Sequence, residues 1–112
     1  MLENSLWLRY NPEKTIREAL TRLYACDAVE IEEDERELYA SLKRHLTKKE
    51  LKIIMMNEGG CTPEAIGAEV ALEGEELKKA QYKAYRKLHQ AKIRLEVRAN
   101  RVKEVVETAD EE

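Results

Sequence analysis

The sequence predicts an all-α protein, and three observations carry that expectation. First, the 112 residues are 38% charged and 43% hydrophobic, yet only 5% aromatic, with four Gly and two Pro. A chain rich in Glu, Lys, Leu and Ala and poor in Gly and Pro has the composition of a helical protein. Few β-branched and aromatic runs argue against a sheet. Second, apolar residues recur at three- and four-residue intervals along most of the chain. Third, helix start signals repeat at Asn11-Pro12-Glu13, Thr47 to Glu50 and Thr62-Pro63-Glu64.

The elements follow in order. Asn11 as N-cap, Pro12 at the first helical position and Glu13 beside the positive helix end predict a helix over 12–27. Ile16, Leu20, Leu23 and Tyr24 form its apolar stripe, extended by Ala19 and Cys26. Leu38, Tyr39, Leu42 and Leu46 mark a second helix over about 33–45, acidic at its start and basic at its end (Lys43, Arg44, His45). Thr47 and Glu50 make a capping box for a third helix, which carries Leu51, Ile54 and Met55 and stops at Glu58-Gly59-Gly60. Thr62-Pro63-Glu64 opens a fourth helix of about two turns with Ile66 and Val70 on one face. From Gly74 onward no breaker interrupts the spacing of Leu77, Gln81, Ala84, Leu88, Ala91, Leu95, Arg98, Val102 and Val105. One helix over 75–107 is therefore expected, ~50 Å long at ~1.5 Å per residue.

Several function classes are excluded at this level. No apolar stretch reaches the ~20 residues of a membrane span. The opening Met1-Leu2-Glu3-Asn4 lacks the basic start and apolar core of a signal peptide. A soluble cytoplasmic protein is expected. Cys26 and Cys61 form no metal-spaced motif and read as reduced thiols. There is no Gly-rich phosphate loop, HExxH or nucleophile elbow. His45 and His89 lie far apart, and nothing assembles a base, an orienter and an oxyanion hole. No catalytic residue, metal site or cofactor is expected.

Charge is strongly segregated. The net charge is −3. Residues 78–103 hold ten Lys and Arg against one acid, Glu96, a local +9 that leaves −12 for the remainder. Residues 27–37 hold seven acids and one base, and Asp110-Glu111-Glu112 is acidic again. This asymmetry suits a basic face for a polyanion.

The stretch 46–88, LTKKELKIIMMNEGGCTPEAIGAEVALEGEELKKAQYKAYRKL, reads as a short helix, a Gly-Gly turn, a capped two-turn helix, a tight turn and a base-rich helix. Two helices joined by a tight turn, the second offered to a groove, form a helix-turn-helix. The stretch resembles region 4 of bacterial sigma factors. Leu46-Thr47-x-x-Glu50 is similar to that family's LTxRE start. Thr62-x-Glu64-x-Ile66-Gly67 is similar to its first motif helix, and Lys83-Ala84-x-Arg86-Lys87-Leu88 to its KALRKL ending. The three motifs stand in register without a gap. Two departures stand out. Ala71 replaces the turn glycine, which requires a backbone there that avoids positive φ. Gly74 and Glu76 replace base-reading arginines.

The resemblance implies a DNA-binding transcriptional regulator that places helix 75–88 in the major groove. Glu75, Lys78, Lys79, Gln81, Tyr82 and Lys83 would contact bases or phosphates, with Glu75 accepting from a cytosine amino group. Lys48, Lys49, Arg86 and Lys87 would add backbone contacts. A second reading is a protein-interaction module that docks on RNA polymerase or another transcription protein, its acidic helix tip (Glu73, Glu75, Glu76) discouraging DNA. The expected organisation is an N-terminal helical extension over 1–45, a helix-turn-helix domain over 46–90, and an extension of the long helix with an acidic tail over 91–112. A homodimer is expected because Leu88, Leu95, Val102 and Val105, with Trp7, Leu8, Ile16, Leu20 and Leu23, leave much apolar surface to cover.

Overall fold

The computed structural model describes residues 6–99 and is all-helical. Seven α-helices follow one another: α1 Leu6–Tyr10, α2 Ile16–Tyr24, α3 Glu35–His45, α4 Lys48–Glu58, α5 Pro63–Val70, α6 Gly74–Leu88 and α7 Ala91–Glu96. A short 3-10 helix, Ala28–Glu30, lies between α2 and α3. Among the described residues the only extended pairing is a single antiparallel bridge between Ile31 and Arg98. No helix among them is long and apolar enough to cross a membrane.

Helix α4 is the centre of the molecule. It buries Leu51, Ile53, Ile54, Met55 and Met56, so it is apolar nearly all round, as expected of a helix enclosed by others. Leu51, Ile54 and Met55 join a large core with Trp7, Ile16, Leu20, Ile31, Leu38, Leu42, Leu46, Ala84, Leu88, Ile93 and Val97. Ile53 and Met56 face a second, smaller core with Ile66, Val70 and Leu77. The Thr47–Glu50 capping box is formed, with Glu50 N–H on Thr47 Oγ1 at 3.1 Å and Thr47 N–H on Glu50 Oε1 at 2.9 Å. Thr62 caps α5 through Ala65 N–H, with Pro63 in the first turn. The Gly59-Gly60 stop also serves packing. A Cβ on Gly59 would run into the Tyr10 carbonyl, so the glycine lets α1 sit against the end of α4.

Three expectations are corrected. The helix expected over 12–27 is α2, Ile16–Tyr24, and its cap is Thr15, which forms a capping box with Glu18. The N–H groups of Ile16 and Arg17 also donate to the Glu35 carboxylate at 2.8 and 3.0 Å, tying α2 to α3. Asn11 is buried and links α1 to α4, its amide donating to the carbonyls of Trp7 and Met55. The long helix over 75–107 does not form. It ends at Leu88, and α7 begins at Ala91 and packs on α3. The break lets Ile93 and Val97 enter the large core, where both are fully buried. A third difference concerns the apolar faces on which a dimer was expected. Trp7, Ile16, Leu20 and Leu88 are covered within one chain, while Leu95 is 59% exposed. Val102 and Val105 lie outside the described residues.

Candidate nucleic-acid interface

Helix α6 is anchored on one face and open on the other. Leu77, Ala84 and Leu88, at seven- and four-residue spacing, are buried against α4 and its neighbours. The remaining circumference carries Glu75, Lys78, Lys79, Tyr82, Lys83 and Arg86, all exposed, with Gln81 half-buried beside the groove that α5 and α6 form. Tyr82 is 69% exposed, an unusual position for an aromatic side chain. Lys48 and Lys49, in the first turn of α4, are exposed too.

The α5–α6 connection is set by three small residues. A Cβ on Gly67 would stand 2.5 Å from the Leu72 carbonyl oxygen, so only glycine lets α5 approach the turn this closely. Leu72 N–H returns the contact, donating to the Gly67 carbonyl at 3.0 Å. Ala71 takes the left-handed conformation at φ +60°, which overturns the expectation that alanine there requires negative φ. Gly74 at φ +57° then opens α6. Glu73 makes no side-chain cap bond, so Glu73, Glu75 and Glu76 complement the helix start through charge alone.

Two carboxylates fix α6 from behind. Glu50 accepts from Lys87 Nζ at 3.0 Å while its own turn caps α4. Burial pushes the Glu50 carboxyl up, but the Thr47 N–H and the Lys87 ammonium outweigh it and hold it below the usual range. Lys87 thereby differs from the other bases of α6: its charge is matched inside the molecule. Glu58 has a side chain only 3% exposed and accepts from Tyr85 Oη at 2.8 Å, from Lys14 Nζ at 3.2 Å and from Arg22. Burial raises this carboxyl also, and the bonds from Arg22, Tyr85 and Lys14 bring it below the ordinary carboxylate value. The Tyr85 phenol, buried and facing that carboxylate, is pushed up. At the far end Tyr24 Oη donates to the Leu88 carbonyl at 2.7 Å, and burial raises that phenol to about 12. The His89 ring lies between the Tyr85 and Leu23 carbonyls at 2.9 and 3.2 Å.

Glu58, Tyr85, Arg22 and Lys14 are positioning residues that the sequence does not single out. Lys14, Arg22 and Tyr85 stand 44, 36 and 27 residues from Glu58 in the chain, and no local motif marks such a convergence. The residues that remain free are the informative ones. Lys48, Lys49, Lys79, Lys83 and Arg86 have no carboxylate partner among the described residues, and Lys78 has only Glu75 at 4.0 Å. Elsewhere Lys14, Arg22, Arg44, Lys52 and Lys87 are paired at 3.2 Å or less. A row of unmatched positive charge therefore runs along α6 and the start of α4, while the other bases without a carboxylate among the described residues, Arg9, Arg17, Lys43, Lys92, Arg94 and Arg98, are spread over α1, α2, α3 and the α7 region. Among the described residues no group of three His, Cys, Asp or Glu is placed to hold a metal ion. Comparison with protein-family models, curated proteins and solved structures returns no match.

Proposed function

We propose that the protein is a DNA-binding transcriptional regulator whose α5–turn–α6 unit is a helix-turn-helix of the sigma region 4 kind, with α6 lying in the major groove. The observation that carries this reading is the exposed face of α6. An anchored helix offers Lys78, Lys79, Lys83 and Arg86 to solvent with no strong partner among the described residues. Phosphates are the partner that such a row suits, since the phosphate backbone supplies most of the affinity in this class of complex. Tyr82 adds an aromatic contact, and Glu75 is the acceptor for a cytosine amino group. The close approach at Gly67 supports the same reading, because it fixes the angle between the two helices.

The test is binding of the purified protein to random and genomic duplex DNA across a salt series. Four to six phosphate contacts per protomer give a log–log slope of roughly −4 to −5, at about −0.9 per contact. No detectable binding at low salt would end this reading. A second reading, docking on RNA polymerase without DNA, is favoured by one observation: Glu73, Glu75 and Glu76 are all exposed at the helix tip that would enter the groove. Glu76→Arg separates the two. A DNA reader gains affinity with it, because a like charge facing phosphate is removed. An interaction module gains none. A homodimer remains part of the proposal only through surfaces other than the Trp7, Ile16 and Leu20 face, and sedimentation at high micromolar concentration decides it.

A further inference from the structure

We infer that the acidic segment 104–112 of this chain is an internal competitor for the basic face of α6, occupying it when DNA is absent. The inference rests on the DNA-binding reading for its functional meaning, but the docking itself is argued from charge and reach. Residues 104–112, EVVETADEE, contain five carboxylates and no base. That is the densest negative run outside 27–37, and it is the one joined to α6 by a short path. The face it would meet carries Lys79, Lys83 and Arg86, exposed and without a carboxylate partner among the described residues, with Lys78 beside them. Carboxylates at two- to four-residue spacing are the chemical counterpart of a phosphate row for such a face, because both present singly charged oxygens to ammonium and guanidinium groups.

The path length permits the contact. The described chain ends at Ala99, held by its N–H on the Glu30 carbonyl at 3.1 Å. Helix α7 is six residues long and begins three residues after Leu88. At ~1.5 Å per helical residue and at most ~3.8 Å per other residue, no more than ~38 Å of path separates Ala99 from Lys83. The thirteen residues from 100 to 112 can extend ~43 Å. Joined to the same chain, the segment acts at an effective concentration of about 1 mM. Against a weak, purely ionic contact this lowers DNA affinity by about two- to tenfold at low salt. The loss vanishes as salt screens the contact.

The experiment compares the full chain with a chain ending after Lys103, and with a full-length variant carrying E104Q, E107Q, D110N, E111Q and E112Q. Amide chemical shifts are read without DNA, and duplex binding is read separately by anisotropy. At low salt both altered chains should shift the amides around Lys79, Lys83 and Arg86, and those differences should disappear at about 0.5 M salt. Both should bind random-sequence duplex about two- to tenfold more tightly. Unmoved α6 amides in both altered chains would overturn the inference, whatever happens to DNA affinity, since a change in net charge alone alters affinity without touching α6. Shifted α6 amides with no DNA binding by any form would uphold the docking and overturn the DNA reading instead.

Discussion

Ala71 and Gly67 sit four residues apart and make opposite demands on the backbone. Ala71 holds φ +60°, where a Cβ costs ~1–2 kcal/mol, while Gly67 sits where a Cβ has no room at all. Ala71→Gly should therefore stabilise the protein by about 0.5–1 kcal/mol. Relief of strain exceeds the added freedom of the unfolded chain, which costs ~0.4–1 kcal/mol. Gly67→Ala should destabilise by about 1–3 kcal/mol, because the Leu72 carbonyl must move and the α5–α6 turn with it. Urea denaturation of both variants checks the pair, and the two effects must differ in sign. Residue-scale features of this kind were partly legible in the sequence. The caps at Thr47 and Thr62 were, since each is written in three or four consecutive residues, Thr47 to Glu50 and Thr62-Pro63-Glu64. The cap at Thr15 was masked by the stronger-looking Asn11-Pro12 beside it. Asn11 is instead drawn inward by two carbonyls, a tertiary contact with α4 that no local pattern contains.

Helices are legible from period, and their ends only where Gly, Pro or a cap residue marks them. The extent of α4 and α5 could be read for that reason. The break at His89-Gln90 could not, because neither residue is a helix breaker and the 3–4 spacing runs straight through it. What ends α6 is the reward on the far side: α7 turns back so that Ile93 and Val97 are buried, which a continuous helix would leave in water. At that end Tyr24 Oη donates to the Leu88 carbonyl, and the His89 ring lies between the Tyr85 carbonyl of α6 and the Leu23 carbonyl of α2. The exposed side of α6 was legible by the same period, and its internal pairing was not. Lys83, Arg86 and Lys87 look alike in sequence, yet among the described residues only Lys87 meets a carboxylate, 37 residues away. A discriminating prediction follows at this scale. On the DNA reading, Lys83→Ala and Arg86→Ala should each make the salt slope shallower by about 0.9, with stability unchanged. Lys87→Ala should leave the slope nearly as it is and cost about 1–2 kcal/mol of stability, because Glu50 is left buried without its cation. Equal effects of all three on the slope would show that Lys87 leaves Glu50 for phosphate.

Across the whole molecule, three carboxylates join elements that are distant in the chain. Glu58 gathers Lys14 from the segment before α2, Arg22 of α2 and Tyr85 of α6. Glu50 holds Lys87 of α6 on α4, and Glu96 of α7 meets Arg44 and His45 of α3 at 3.0 and 3.1 Å. All three carboxyls lie below their ordinary value: burial raises each, and the hydrogen bonds and cations around it outweigh that rise. A carboxyl depressed in the folded state gives stability that is fully present above its unfolded value, about 4.3. That stability is lost as pH falls through the lower, folded value. The denaturation midpoint in urea should therefore hold level from neutrality to about pH 5 and fall steeply between about pH 4.5 and 3. Because these carboxylates span α2, α3, α4, α6 and α7, the loss should be one cooperative transition, followed equally by Trp7 fluorescence in the large core and by far-UV ellipticity. Glu58→Gln isolates the central member. It should lower stability near neutrality by about 1–2 kcal/mol, since Lys14 and Arg22 lose their anion. It should also flatten the acid limb, because one of the three linked protons no longer binds. An acid limb as steep in Glu58→Gln as in the natural chain would place the pH dependence elsewhere, on Glu50 and Glu96 alone.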